Sequence, residues 1–360
     1  MSHQLKNIHI KGYKSILDQA VHLTSMNVLI GQNGAGKTNF ISLYRFLRNV
    51  IERRVRIASL KTGAENLLYY GSKSTKEIII DLNFDPNFYD IKLQPTNDDS
   101  LFIALEHCGF MGYGYSTPYT TSITIDEKES NLSIEAKKDK IADHVYDVLK
   151  EWRVYHFHDT SESAGVKKYS SISDSKFLFE DASNLAPFLY ILKKTQEKYH
   201  ERIVKTIQLV IPFFNDFVLE VNPLNKETIR LEWVDNYSDK TFTANELSDG
   251  SVRFICMATL LLQKDLPKVI LLDEPELGLH PSAITILAGL LKKASKRSQI
   301  IVSTQSVSLV NEFDAEDIII VEKKEAETVF RRLEPEKLEQ WLDEYSLGEL
   351  WDKNIIGGKP

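Results

Sequence analysis

The stretch that decides the fold is MNVLIGQNGAGKTNF, residues 26–40. Its first five residues, 26–30, are apolar apart from Asn27 and predict a short buried strand. The next eight, GQNGAGKT at 31–38, fit the pattern GxxxxGK(S/T) of a phosphate-binding loop, and the residues after them predict a helix over 37–56. A strand, a glycine-rich turn and a helix in this order begin an α/β unit.

The residue types in this loop are those that a phosphate chain requires. Glycine lets the backbone turn tightly and aim N–H groups at phosphate oxygens, and the helix N-terminus adds about half a positive charge. Lys37 can bridge the β- and γ-phosphates, and Thr38 can place its hydroxyl on Mg²⁺. We therefore expect ATP and Mg as cofactors. The residues expected to contact ATP here are Asn33, Gly34, Ala35, Gly36, Lys37, Thr38 and Asn39.

A second motif, KVILLDEPE at 268–276, places two acids directly after an apolar strand. Such a strand delivers its last residues to the edge of the sheet where α/β folds bind ligands. We expect Asp273 to hold Mg²⁺ together with Thr38, and Glu274 to orient and deprotonate the attacking water. A strand that simply ends in a charged turn would have the same sequence, but the presence of a phosphate loop in the chain makes this interpretation weaker.

Three shorter segments accompany these two motifs. ELSDGSVRF at 246–254 predicts a helix capped by Ser248, with an N-terminus that Gly250 leaves open. GLHP at 278–281 follows the acids, and IIVSTQS at 300–306 predicts a strand that ends in polar residues. Each segment alone is weak evidence of function, whereas their order and spacing are strong evidence together.

In this order the motifs resemble those of ABC-type ATPases, and most of all the SMC, RecF and OLD-like branch with its small AAA-type ATPases of bacteria. LSDGS is similar to the signature motif, LLDEPE to Walker B, GLHP to the D-loop, and IHIKGYKSI at 8–16 to the start of that branch. The resemblance covers residues 1–56 and 244–322. It implies the α/β fold class: a P-loop NTPase, as an ABC-type head with a β-rich N-terminal lobe and a helical insertion. The long segment between Lys37 and Asp273 is typical of this branch and unlike a compact transporter ATPase.

The resemblance also implies how two copies would share the nucleotide. In this family two heads enclose two ATP molecules, and the phosphate loop of one head faces the signature of the other. Ser248 and Gly250 would then contact the γ-phosphate held by the other copy. Lys14, in GYKS, would lie near the nucleotide, like the basic residue found there in the family. The implied partner is therefore a second copy of this chain, as a homodimer joined through ATP.

The sequence departs from the family pattern at three points. The switch residue, usually histidine, is Gln305, which can hydrogen-bond the γ-phosphate but cannot be protonated; the implied catalytic residues are thus Lys37, Glu274 and Gln305. Asp249 stands where many signatures have glycine, and a carboxylate near phosphate is costly unless it points away. The usual Q-loop glutamine is not identifiable, because Gln94 has the context of a strand and a turn.

Less regular material lies between the two motif-bearing ends. Residues 77–136 alternate as a β-rich segment, in which NLSIEAK at 131–137 predicts a strand, and 184–212 have helical periodicity. We divide the chain into an N-terminal ATPase lobe, 1–140, a helical and β-strand insertion, 141–243, and a C-terminal ATPase lobe, 244–360.

Composition excludes several classes of protein. Of 360 residues, 42% are hydrophobic and 26% are charged, which rules out disorder of the whole chain. The net charge of −7 argues against coating nucleic acid through bulk charge, so any DNA contact would be local or indirect. Cys108 and Cys256 are too far apart for a zinc motif or a disulfide framework. The N-terminus has no apolar stretch of a secretory signal and no run is long enough for a membrane span, so we expect a soluble, cytoplasmic protein.

Three weaker features each have a functional and a structural interpretation. HFHDT at 156–160 could contact a metal or the nucleotide, although a polar strand end explains it better than a metal site does. Arginines within 45–56 could form a DNA- or partner-binding patch, and a salt-bridged surface explains them slightly better. An aromatic stretch could stack on a ligand, but a packed or partner-binding loop is commoner. Its members are Phe110, Tyr113, Tyr115 and Tyr119.

Together, the motifs and the resemblance predict an ATP-hydrolysing head whose ATP-dependent dimer regulates a partner effector. The resemblance implies a separate nuclease or Toprim-like protein as that effector, in bacterial defence against phage. No nuclease motif is visible, and residues 320–360 are too short for a Toprim domain. Two alternatives stay open. One is a RecF-like ATPase that binds DNA ends, which a salt-dependent DNA affinity would favour, and the other is an ATP-gated scaffold that needs no turnover.

Overall fold

The structure is a computed structural model that describes residues 4–112, 114 and 116–359. The chain divides into two compact units. The first unit contains the residues up to Val154, Pro267–Leu271, and the residues from Gln299 onward. The second unit contains Tyr155–Leu266 and Leu272–Ser298.

The strands and helices alternate along most of the chain. The strands are β1 Asn7–Tyr13, β2 Ile16–His22, β3 Met26–Ile30, β4 Ile78–Asn83, β5 Asn87–Pro95, β6 Leu101–Phe110, β7 Tyr119–Glu127, β8 Trp152–Tyr155, β9 Ser170–Ser171, β10 Phe214–Val218, β11 Thr228–Ile229, β12 Glu232–Asp235, β13 Ser238–Thr243, β14 Val269–Asp273, β15 Gln299–Thr304, β16 Ile318–Lys324 and β17 Glu327–Arg332. The helices are α1 Lys37–Ile51, α2 Val55–Thr62, α3 Ala64–Leu67, α4 Gly71–Ser74, α5 Leu132–Glu135, α6 Lys140–Leu149, α7 Leu185–Thr195, α8 Glu197–Val210, α9 Asp249–Leu262, α10 Pro281–Ser295, α11 Val307–Val310, α12 Glu339–Leu342 and α13 Leu347–Asp352.

Within the described residues, the first unit is built on two six-stranded sheets. One is antiparallel, in the order β2-β1-β4-β5-β6-β7. Its strands alternate between buried and partly exposed residues, as in β5, because one face packs on the core. The other sheet has the order β17-β16-β3-β15-β14-β8, and its central strand β3 pairs in parallel with both β15 and β16. All five residues of β3 are buried, as expected of a central parallel strand.

Helix α1 lies in the core that joins these two sheets. Its buried residues recur at helical spacing, so one apolar face is continuous along four turns. Phe46 contacts Tyr13 of the antiparallel sheet, with ring centroids 6.1 Å apart. Tyr44 contacts Trp152 of the other sheet, with centroids 4.9 Å apart. The helix that follows the phosphate loop is therefore fixed from both sides.

Two predicted elements are wrong in extent or type. The helix predicted over 37–56 ends at Ile51, because Arg53 takes a left-handed φ of 61° and the chain starts again as α2. The carboxylate of Glu129, far along the chain, accepts hydrogen bonds from the first N–H groups of α2, which no local pattern announces. The strand predicted at 131–137 is the helix α5, because the Ser130 hydroxyl accepts from the N–H of Leu132 and starts a helical turn.

The second unit packs helices α7 to α10 with small sheets. Its strands form the order β10-β12-β13 and the pair β9-β11. The helical pattern of 184–212 is confirmed as two helices, α7 and α8. Helix α9 is buried along most of its length, so its position is set by packing on several sides.

No helix in the described part of the chain is both long and apolar enough to cross a membrane.

Candidate functional site

The phosphate-loop sequence forms a tight connection between β3 and α1. The strand ends at Ile30, and α1 begins at Lys37. Gly34 has a φ of 78°, and a Cβ added there would meet nothing within 4 Å. Residues 32–34 are exposed, whereas Ala35 and Lys37 are buried. The loop thus has one open side that a ligand can approach and one side fixed by protein.

The Lys37 side chain folds back over this loop. Its ammonium donates to the carbonyl of Gly31 and, at 3.0 Å, to the carbonyl of Gln32. The loop therefore carries a buried ammonium, which can serve as a counter-charge for an anionic ligand. Thr38 is exposed in the first turn of α1.

Lys14 lies beside the first turns of α1, the helix that contains Asn39. The Lys14 ammonium donates to the Ser42 hydroxyl at 2.9 Å, which anchors the lysine to the helix. Burial and then the neighbouring charge of Arg45 lower the pKa of Lys14 below its usual range. An anionic ligand beside Lys14 would stabilise its charged ammonium, because an opposite charge offsets both the burial and the repulsion from Arg45.

A cavity of about 740 Å³ opens next to these residues in the first unit. Motif analysis missed most of its wall, since the segment 62–71 carries no pattern typical of nucleotide binding. A volume of this size is in the range of small-molecule sites. Its lining includes Lys14, Ser15, Asn39, Asn66, Tyr70 and Lys323.

Gln305 is brought to the same edge of the sheet as the phosphate loop. It directly follows β15, which pairs in parallel with β3 so that Thr304 is the partner of Ile30. Parallel strands that are in register end together, so the residues after them are neighbours. The sequence-predicted residues 33–39 and Gln305 therefore lie at the same edge of this sheet.

The acidic pair belongs to the second unit. Asp273 is the last residue of β14, and Glu274 follows with a left-handed φ of 44°. Left-handed backbone at a non-glycine residue is uncommon, and strained residues of this kind cluster at turns and active sites. The ring nitrogen Nε2 of His158 lies 2.8 Å from the carbonyl oxygen of Asp273. His158, from the HFHDT segment, thus fixes the strand end that carries both acids.

The signature segment begins helix α9 in the way the sequence predicted. The Ser248 hydroxyl accepts from the N–H of Ser251 at 3.2 Å, which confirms it as the N-cap. Asp249 is exposed. A Cβ added to Gly250 would lie 2.4 Å from the carbonyl oxygen of Gly278, so glycine lets the helix approach the loop after the acids.

Arg253, which motif analysis did not single out, ties three segments of the second unit together. Its guanidinium donates to the carbonyls of Leu277 at 2.8 Å, His158 at 3.0 Å and Phe157 at 3.2 Å. The fixed fork of an arginine suits several carbonyls at once. The helix of Ser248, the loop after the acids and the strand end of His158 are thereby coupled through one side chain.

Arginines within residues 45–56 form ion pairs on the surface. Arg48 and Arg54 both pair with Glu52, at 2.9 and 3.1 Å, and Arg56 pairs with Asp98 at 3.0 Å, as in a salt-bridged surface.

Among residues 4–112, 114 and 116–359, no group of three or more His, Cys, Asp or Glu side chains is placed to hold a metal ion. Of the aromatic stretch, Tyr113 and Tyr115 lie outside the described residues. His280, in GLHP, caps α10.

Comparisons with known proteins agree with the motifs. The family described as "AAA domain, putative AbiEii toxin, Type IV TA system" matches residues 26–311, and the chain belongs to this family. Endonuclease GajA of Bacillus cereus (strain VD045) is 22% identical over 363 residues, which cover 89% of this chain and 59% of that protein. The chain thus spans less than two thirds of the length of this relative.

Solved structures confirm the P-loop ATPase fold. The SMC head bound to the C-winged helix domain of ScpA has a TM-score of 0.58 at 16% identity, over 93% of this chain and 99% of that one. An SMC head with an extended coiled coil, bound to the C-terminal domain of ScpA derived from Pyrococcus furiosus, has a TM-score of 0.53 at 15% identity, over 94% and 98%. Together with the family match and the GajA relative, these folds support the predicted resemblance to the SMC and OLD-like branch.

Proposed function

Starting from this family membership, we propose that the chain binds and hydrolyses ATP and uses the ATP-bound state to control an effector. The observation that carries the proposal is the phosphate loop itself. It has an open glycine side, a buried Lys37 with its ammonium over the loop, and Gln305 at the same sheet edge. Lys37 would compensate the charge of the β- and γ-phosphates, and Gln305 would hydrogen-bond the γ-phosphate.

The acidic pair supports hydrolysis rather than binding alone. Glu274 would orient the attacking water and accept its proton, while its left-handed backbone holds the carboxylate at the end of a buried strand. Thr38 would supply a hydroxyl and Asp273 a carboxylate to Mg²⁺, which prefers oxygen ligands of these kinds. When bound, Mg²⁺ would neutralise charge on the phosphates.

Dimerisation on ATP is the second part of the proposal. Helix α9 presents an exposed N-terminus with Ser248, and backbone N–H groups at such an end favour a phosphate. Ser248 and Gly250 would contact the γ-phosphate held by a second copy of the chain. Asp249 is exposed, which leaves its carboxylate free to point to water.

The effector is the third part. The relative is named an endonuclease, and this chain spans 59% of its length. We propose that a nuclease or Toprim-like protein is the effector and that the work belongs to bacterial defence against phage. Direct DNA-end binding is less well supported, because Arg48, Arg54 and Arg56 are each paired with a carboxylate.

ATP hydrolysis by the purified chain tests the enzymatic part. We expect phosphate release from Mg-ATP, and we expect Lys37→Ala to lose nucleotide binding by at least about tenfold, since a charge-assisted contact to phosphate is removed. Lys226→Ala, which removes a lysine from an exposed loop of the second unit, is the matched control and should behave as the unsubstituted chain. Binding of ATP by Lys37→Ala with unchanged affinity would contradict the assignment.

A further inference from the structure

A buried threonine from the far end of the chain packs on the phosphate loop. Thr328, the second residue of β17, is fully buried, and it lies beyond residue 311, where the family match ends. Its hydroxyl donates to the carbonyl of Ala35 at 2.8 Å. A residue at this position carries no motif, so sequence comparison gives it no role.

The threonine is part of a chain of hydrogen bonds that returns to the same loop. Because the Thr328 hydroxyl gives its proton to Ala35, it accepts from the Ser15 hydroxyl, 2.7 Å away. The Ser15 oxygen in turn accepts from the side-chain amide of Asn39 at 2.8 Å. The backbone N–H of Thr328 also donates to the carbonyl of Ser15 at 2.7 Å. Two elements outside the loop thus hold both the loop and the first turn of α1.

The hydrogen bond to Ala35 determines how the loop presents its next N–H. A trans peptide is planar, and its C=O and N–H point in opposite directions. Fixing the Ala35 carbonyl toward Thr328 therefore turns the N–H of Gly36 away from Thr328. Within the described residues this N–H donates to no protein group, so it stays available to a ligand.

Packing reinforces the same orientation. A Cβ added to Gly36 would lie 2.2 Å from the Thr328 hydroxyl oxygen and 2.6 Å from its methyl carbon. The threonine thus occupies the space behind Gly36, which has a φ of 118°. The loop cannot relax toward β17 without a clash, and it cannot flip the peptide without losing the hydrogen bond.

We infer that Thr328 is a positioning residue of the phosphate loop, which orients the Gly36 N–H toward phosphate, with Ser15 as its link to Asn39. The inference rests on the proposed binding of ATP at this loop. Thr328 contacts the loop and would not contact a reacting atom. Its substitution should therefore change the affinity for phosphate groups rather than the rate of the chemical step.

The test compares two substitutions of one residue in the full chain. Thr328→Val keeps the branched shape and removes the hydroxyl, so the affinity for ATP and for inorganic tripolyphosphate should fall roughly tenfold, with kcat within about twofold. Thr328→Ser keeps the hydroxyl and should bind within about twofold of the unsubstituted chain. Affinities are measured by competition against a fluorescent ATP analogue, and KM and kcat by phosphate release.

Thr259→Val is the matched control, because Thr259 is also fully buried but its hydroxyl has no hydrogen-bond partner among the described residues. This substitution should leave the affinity for ATP unchanged. The melting temperature should stay the same or rise slightly, because a buried hydroxyl without a partner is removed. Should Thr328→Val fail to fold, Ser15→Ala interrupts the same chain of hydrogen bonds and should weaken ATP binding by a few fold. Where Thr328→Val does fold, the double variant with Ser15→Ala should lose less affinity than the sum of the two single losses.

Two outcomes overturn the inference. The first is an unchanged affinity of Thr328→Val for tripolyphosphate. The second is a loss of affinity in Thr328→Ser as large as that in Thr328→Val, which would make the shape of the side chain responsible rather than its hydroxyl. Failure of the unsubstituted chain to bind ATP is a different result, because it would contradict the proposed function itself.

Discussion

At the scale of single residues, glycine marks where the backbone must come close. Gly250 lies in the first turn of α9, where alanine would ordinarily stabilise a helix by about 1 kcal/mol. Here the Cβ would lie 2.4 Å from the Gly278 carbonyl oxygen, so the loop after the acidic pair would have to move. The glycine therefore serves the contact rather than the helix.

We expect Gly250→Ala to lower ATP turnover by at least about tenfold, because displacement of reacting groups by about 1 Å is costly to catalysis. Gly289→Ala in α10 is the control, since a Cβ there meets nothing within 4 Å and should raise stability by up to about 1 kcal/mol. Phosphate release and thermal melting measure both variants. Equal turnover by the two alanine variants would show that the close approach is unimportant.

At the scale of elements, Arg253 couples helix α9 to two other segments through three carbonyls. Lysine keeps the charge but lacks the planar fork, so Arg253→Lys should retain the fold and lose most of the ATP turnover. Arg297→Lys is the control, because Arg297 holds the carbonyls of Gln263 and Lys264, just after the other end of the same helix. Measurements of ATP turnover and melting temperature compare Arg253→Lys with Arg297→Lys. A similar loss of turnover in Arg297→Lys would indicate general destabilisation instead of coupling.

The elements also show what local sequence can predict. The strand β3, the cap of α9 and the strand before Asp273 follow from patterns within a few residues, and the structure confirms all three. Helix α5 and the start of α2 depend on Ser130 and on Glu129, whose hydrogen bonds override the local pattern. Thr328 and Arg253 could not be found, because each acts on a segment brought near only by folding.

At the scale of the whole molecule, the phosphate loop and the acidic pair lie in different compact units. The first unit holds the phosphate loop, Lys14 and Gln305, and the second holds the acidic pair and the signature. The division predicted at 140 and 243 remains a prediction about lobes, since the compact units interleave along the chain. The catalytic, ATP-binding and Mg²⁺ roles of single residues likewise remain proposals that substitutions must test.

The measurement that tests the central claim most directly is light scattering of the Glu274→Gln protein with and without Mg-ATP. Glutamine keeps the side chain's shape and removes the base, so ATP should bind and persist. If ATP joins two copies, the mass should double with ATP, and the added substitution Ser248→Ala should weaken this doubling. ATP bound with no change in mass, or doubling that is indifferent to Ser248, would contradict an ATP-joined pair of heads.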